Sequence, residues 1–165
     1  MPATTKVPLG ASTVNRKWYL DVDTATPPAV ATYIGVFGIQ EFKDIIEGNT
    51  VDDSDFDGNG WQSQTVTANK AGIEIKVGRK TTAASATAYD PGQEKLRLTS
   101  RKTGVGNRVR VRYYEMEPNG PRVEAYEGWV SVSYSSDGGD MKAASTATIK
   151  LSFQGEPVST VHPAP

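Results

Sequence analysis

The chain has 165 residues, a formal net charge of −1, no cysteine, 16 glycines and 10 prolines. This length suits one domain, and the Gly- and Pro-rich mix favours a loop-rich β protein over a helical bundle. The near-neutral charge excludes non-specific nucleic-acid binding driven by excess positive charge, and the lack of cysteine excludes disulfides and thiolate sites. No run approaches the ~20 apolar residues of a membrane span, and the first residues lack the apolar core of a signal peptide. The single histidine, His162, stands in the Pro-rich C-terminal tail, which argues against a Ser-His hydrolase.

The first part of the chain predicts an arm followed by two strands. Residues 1–14 are small and polar and are expected to form an arm without its own core. Residues 17–22 alternate, with Trp18, Leu20 and Val22 on one face of a strand. Residues 31–39 predict a second strand, bent or bulged at its glycines.

An acidic stretch, residues 52–61, carries four carboxylates within six positions. Such a cluster repels itself and cannot be buried unpaired. Three interpretations stay open: a solvated loop, a bound cation, or a loop docked on basic groups of another chain. Asp53, Asp55 and Asp57 match the opening of a calcium-binding loop, but Gln64 stands where a bidentate Glu is needed. The residues that follow also alternate like a strand instead of a helix.

Beyond the acidic stretch, residues 61–67 and 72–77 predict two strands of a hairpin joined by residues 68–71. After a polar loop, Asp90 can cap a helix, with Pro91 at its first position and Gln93 completing a capping box. The helix is predicted near residues 91–102.

Three further strands are predicted at residues 107–115, 122–134 and 141–153. The first alternates apolar residues with Arg108, Arg110 and Arg112, and the second, which contains Trp129, is predicted to be a core strand and not a ligand platform. The total of about seven strands and one flanking helix indicates a mainly β protein, an antiparallel β-sandwich or barrel. The arginines, together with Arg101 and Lys102, fit a solvated face, a subunit-interface patch or, less well, a nucleic-acid surface.

Taken in order, these segments resemble the major tail tube protein of long-tailed bacteriophages with non-contractile tails. The resemblance rests on residues 38–40, the acidic stretch ending in Gly60-Trp61, the helix-opening Gly92-Gln93, residues 127–131, and the closing strand with its Gly155-Glu156-Pro157 ending. It covers roughly residues 15–157. The same fold is used by the haemolysin-coregulated tube protein of type VI secretion.

The resemblance implies a β-sandwich flanked by a helix, six subunits per ring, and stacked rings that form a hollow tube for DNA passage. It implies a structural virion protein that assembles in the host cytoplasm, without enzymatic activity, cofactor or membrane partner. Tape measure, tail terminator and distal tail proteins are the expected partners. The expected organisation is an arm over residues 1–14, one domain over residues 15–157 and a flexible tail over residues 158–165.

In the family, the long loop before the Trp strand reaches neighbouring subunits, and this loop corresponds to residues 42–60 here. The predicted subunit interface comprises Phe42, Asp52, Asp53, Asp55, Phe56, Asp57, Trp61, Arg108, Arg110 and Arg112. DNA must slide without sticking, so a face with few cations is expected to line the lumen, and Gln62, Gln64 and Glu74 are the candidates. The alternative function is a β-sandwich module that binds a small ligand or carbohydrate.

Overall fold

The structure of the protein, a computed structural model, describes residues 18–27, 29–54, 61–116 and 122–163. The predicted N-terminal arm and the interface candidates Asp55, Phe56 and Asp57 lie outside these residues. The strands are β1 (Trp18–Asp23), β2 (Tyr33–Gly35), β3 (Ile39–Asp52), β4 (Gln64–Gly78), β5 (Thr81–Thr82), β6 (Ser85–Tyr89), β7 (Arg108–Met116), β8 (Arg122–Ser136), β9 (Thr146–Phe153) and β10 (Val158–Ser159). One α-helix, α1, spans Pro91–Ser100, and a 3₁₀ turn spans Gly104–Asn107.

Eight of these strands form one antiparallel sheet in the order β2-β1-β7-β8-β9-β4-β3, with β10 paired to β8 beyond the end of β9. The strands β5 and β6 form a separate two-stranded ribbon. The prediction of a mainly β, antiparallel fold with one helix is therefore confirmed, although the sheet has more strands than the seven expected.

The large sheet curls around a single core. The ring of Trp18 on β1 stacks on that of Phe42 on β3, with 5.2 Å between the centroids, although four strands separate β1 from β3 in the sheet. Residues 36–38, the short linker between β2 and β3, bridge the two ends of the sheet. Val36 N donates to Leu20 O on β1, and Gly78 N on β4 donates to Gly38 O, each at 2.8 Å. The two ends of the sheet thus meet over one hydrophobic interior.

Alternation of side chains builds this interior, as the sequence predicts. The inward residues of β4, β7 and β9 are buried: Ile73, Ile75, Val77, Val109, Val111, Tyr113, Ala147, Ile149, Leu151 and Phe153. The strand that contains Trp129, β8, contributes to the core as expected. Val130 and Val132 fill the core, so the pleat turns Trp129 to the opposite face, where it is 42% exposed.

The helix α1 begins as predicted, with Asp90 Oδ2 accepting a hydrogen bond from Gln93 N at 2.9 Å. Leu96 packs into the core, whereas Leu98 is exposed. No helix among the described residues has the length and apolar character of a membrane span.

The segment predicted as a loop over residues 42–60 is a strand as far as Asp52. The strand β3 pairs with β4 from Ile39↔Val77 to Asp52↔Gln64. The prediction of a turn at residues 68–71 is wrong, because these residues lie within β4 and face β3. At the other end, residues 158–163, assigned to a separate tail, run back along the sheet: Thr160 N donates to Ala125 O and a ring nitrogen of His162 lies 2.8 Å from Glu115 O.

Candidate assembly surfaces

The distal part of the β3–β4 hairpin lies outside the core. Beyond Phe42 on β3 and Ile73 on β4, the residues are exposed or half-buried. Ten residues of β3 follow Phe42, which at 3.3 Å per residue corresponds to about 30 Å of ribbon. An isolated two-stranded ribbon is marginally stable in water, so a projecting hairpin of this length gains stability when another surface covers it.

Several apolar side chains of this hairpin face solvent. Ile46 is 71% exposed, and Val51 and Val66 are about as exposed as they are covered. Trp61, just before β4, is 83% exposed. Phe42, predicted as an interface residue, is buried and stacks on Trp18, so it belongs to the core of its own chain.

Hydroxyl groups hold the described carboxylates of the acidic stretch. Ser54 N donates to Asp52 Oδ1 at 2.9 Å, and Thr65 Oγ1 donates to Asp53 Oδ2 at 2.6 Å. The Ser54 hydroxyl and amide lower the pKa of Asp52, and the Thr65 and Ser63 hydroxyls lower the pKa of Asp53. These contacts fasten the ends of the two strands and keep both carboxylates ionised on an exposed tip.

A β-bulge in the hairpin changes which residues of β4 share a face. Asn49 pairs with Ala68 but Thr50 pairs with Val66, so Thr67 is an extra residue in β4. Because one extra residue reverses the alternation, Gln64 lies on the side of Ile73 while Glu74 lies on the opposite side. The lumen candidates Gln64 and Glu74 therefore do not share a face, and Gln62 precedes the strand.

The outer face of β4, β9 and β8 is polar, and three of its lysines lie beside carboxylates. Glu74 lies between Lys43 and Lys150, at 3.6 Å and 3.5 Å, and Lys76 lies 3.9 Å from Asp137. Small hydroxyl side chains lie beside these pairs on the same face. Ser133, for example, is the β8 partner of Lys150. The face thus combines a hydrated surface with cations that already have carboxylate partners.

The three arginines of β7 differ in their surroundings. Arg110 Nη2 donates to Glu127 Oε1 at 2.5 Å, and the Tyr33 hydroxyl donates to the other oxygen of that carboxylate at 3.1 Å. Burial, followed by the charge of Glu127, raises the pKa of Tyr33 to about 12.

Arg112 donates to the buried Asp21 at 2.6 Å and lies over the Tyr33 ring at 4.4 Å. Arg108 is the exposed member of the set. Sequence analysis missed both carboxylates, because Asp21 lies on β1, 91 residues from Arg112, and Glu127 lies on the following strand, β8, 17 residues beyond Arg110.

The strand β3 is also an edge of the large sheet, since β4 is its one partner among the described residues. An edge of 14 residues presents unpaired backbone N–H and C=O groups, which are a template for pairing with another chain. The other edge strand, β2, has 3 residues.

No protein-family model and no curated protein matches the chain. Solved structures that share its fold include the following three. A chain in the tail of an empty gene transfer agent particle with C6 symmetry has a TM-score of 0.65 and 13% identity, covering 91% of this chain and 100% of that one. A chain in the virion of a native gene transfer agent particle has a TM-score of 0.62 and 12% identity, with the same coverage.

The third structure is the SPP1 tail tube, with a TM-score of 0.64 and 11% identity, covering 92% of this chain and 80% of that one. At these identities the likeness establishes the fold. The resemblance to tail tube proteins is confirmed at that level.

Proposed function

We propose that this chain is a structural subunit that self-assembles into stacked six-fold rings, forming a hollow tail tube through which DNA passes. The observation that carries the proposal is the β3–β4 hairpin, which exposes Ile46, Val51 and Val66 on a ribbon with no core beneath it. In a monomer this ribbon has no evident use, whereas in an assembly it can cover a neighbour. The likeness to a C6-symmetric tail and to a tail tube supports the same role.

In the proposed ring, the hairpin and its acidic tip contact the neighbouring subunit. Arg108 is the β7 cation best placed to receive the tip, since Arg110 and Arg112 have partners in their own chain. Asp52 and Asp53 supply the opposite charge, and charge complementarity of this kind fixes register and orientation.

The proposed lumen wall is the outer face that carries Glu74. Unpaired cations in a bore would hold phosphate, because each contact releases counterions. On this face, Glu74 lies beside Lys43 and Lys150, and Asp137 lies beside Lys76, so the two carboxylates offset most of the charge of the three lysines and weaken their attraction for phosphate. Gln64 lies on the face opposite Glu74, so we do not include it in the proposed lumen wall.

A tube subunit of this kind functions in a virion. Assembly in the host cytoplasm, with tape measure, tail terminator and distal tail proteins as partners, is part of the proposal. It rests on the family resemblance and not on a contact in this chain.

Electron microscopy of the purified protein tests the proposal. Analytical ultracentrifugation of the protein at increasing concentrations separates the species by size. Rings or tubes are expected in the heaviest fraction. Val66→Asp, on the exposed hairpin, should abolish them, while Thr82→Asp on the separate β5–β6 ribbon serves as a matched control. Dispersed monomers at high concentration after long incubation would contradict the proposal, and a melting temperature raised by a saccharide would favour the carbohydrate-binding alternative.

A further inference from the structure

A groove lies beside the base of the β3–β4 hairpin, on the side opposite the proposed lumen wall. It has a volume of about 590 Å³ and runs between the hairpin, the start of β8 and residues 155–157. Its apolar lining consists of Ile46, Ala71, Tyr113, Tyr126 and Pro157. A groove of this size and character fits an extended segment of a few residues.

Carboxylates accompany this apolar lining. Asp44, Glu124 and Glu156 line the groove, and none of its described lining residues is a cation. None of the three forms an ion pair within the described residues. Partial burial and the charge of Glu124 raise the pKa of Asp44, so the carboxylates repel one another. A cationic occupant would relieve this repulsion.

The N-terminal segment enters the fold next to the groove. The first described residue, Trp18, pairs with Glu115 near the end of β7. The end of β7 also pairs with the start of β8, which lines the groove. The Trp18 ring lies 6.1 Å from that of Tyr113, which forms part of the groove. Two strand spacings, about 10 Å, separate β1 from β8, a distance that three extended residues span.

Residues 1–17 match the groove in chemistry. They contain the cations Lys6, Arg16 and Lys17, no carboxylate, and the apolar residues Val7, Leu9 and Val14. We propose that a few residues of the segment 1–17 bind in this groove of their own chain, with cations against the carboxylates and apolar side chains against Tyr113 and Tyr126. A tether of a few residues gives an effective concentration in the millimolar range, which favours the same chain over a second copy. The proposal does not depend on the tube function.

A spin label provides the test, because the chain has no cysteine and Thr13→Cys creates one labelling site. In the full-length ¹⁵N-labelled chain carrying a nitroxide at position 13, the amide peaks of Ala71 and Gly155 should be lost. They should return when the nitroxide is reduced. Arg16→Glu combined with Lys17→Glu should restore the peaks without reduction, and this variant changes no residue of the core.

Charge reversal in the groove is the reciprocal test. Asp44→Lys with Glu124→Lys should also restore the peaks, whereas Glu47→Lys, on the other face of the same hairpin, should leave them lost. Peaks that persist in the labelled full-length chain, or that stay lost in both charge-reversal variants, would overturn the proposal. A spin-labelled ¹⁴N chain mixed with unlabelled ¹⁵N chain tests the second copy: equal loss of the peaks in that mixture would overturn binding within one chain.

Discussion

Gln93 is buried and joins three parts of the fold through its side chain. Its Nε2 donates to Phe37 O at 2.6 Å and to Gly78 O at 3.1 Å, while Arg79 Nη1 donates to its Oε1 at 3.3 Å. The spacing of Gln93 from Asp90 fits a capping box, in which the Gln93 side chain would bond the backbone N–H of the N-cap residue. The actual partners lie 56 and 15 residues away in the chain, so local spacing could not reveal them.

Gln93→Leu should lower the free energy of unfolding by about 3 kcal/mol, because it leaves the Phe37 and Gly78 carbonyl groups without this donor and removes one of the partners of the Arg79 guanidinium. Urea unfolding measures the change. Gln64→Leu, at an exposed position, is the control and should change stability by less than about 0.5 kcal/mol. Equal effects of the two substitutions would contradict this role for Gln93.

Asp137 provides a pH-dependent contribution to stability. The hydroxyls of Thr146 and Thr148 donate to its two oxygens at 2.7 Å each and lower its pKa below the ordinary value of 3.8. A lowered pKa in the folded state means that the contribution is present above pH 3.8 and is lost as the pH falls through the folded value.

Asp137→Asn should therefore be less stable than the parent chain at neutral pH, and the difference should shrink below pH 3.8. Thermal melts of both proteins across the acidic range measure it. Asp140→Asn controls for the loss of one charge from the same turn. A difference that is constant with pH would show that the carboxylate charge is not involved.

At the scale of elements, the buried strands were predictable and the projecting hairpin was not. In β9, Ile149, Leu151 and Phe153 alternate with polar residues because one face meets the core. In the distal part of β3 both faces meet solvent, so no alternation marks the strand, and its acidic end suggested a loop. The bulge at Thr67 further breaks the pattern in β4 and hides that one strand continues through residues 68–71.

The rate of amide hydrogen exchange in the hairpin should depend on the position along β4 and on assembly. In the monomer, amides of residues 64–71 should exchange faster than those of residues 73–77, which pair with both β3 and β9 over a buried face. In assembled tubes, residues 64–71 should become protected because a neighbour covers them. Hydrogen–deuterium exchange with mass spectrometry compares the two states. Equal protection of residues 64–71 in monomer and tube would contradict a role of the hairpin in assembly.

At the scale of the whole molecule, the sequence was sufficient for the fold class and the helix but not for the ionic contacts. The prediction that all three β7 arginines lie in the subunit interface assumed that they had no partners in their own chain. Asp21, which is buried, and Glu127 engage Arg112 and Arg110 within the chain. Such partners depend on which strands become neighbours, and β1 beside β7 joins residues about 90 positions apart. Arg108 is exposed, and its place in the subunit interface stays a prediction.

Arg108→Glu should block ring assembly while leaving the monomer folded. Its side chain is exposed, so the free energy of unfolding should change by less than about 0.5 kcal/mol, whereas a carboxylate at this position would repel Asp52 and Asp53 of the neighbour. Arg110→Glu makes the contrast, because it sets a carboxylate against Glu127 and should destabilise the monomer by about 1.5–3 kcal/mol. Urea unfolding and negative-stain microscopy of both variants separate folding from assembly. Normal tubes from Arg108→Glu would show that the acidic tip docks elsewhere, and a double reversal with Asp52→Lys and Asp53→Lys should restore assembly if the two surfaces meet.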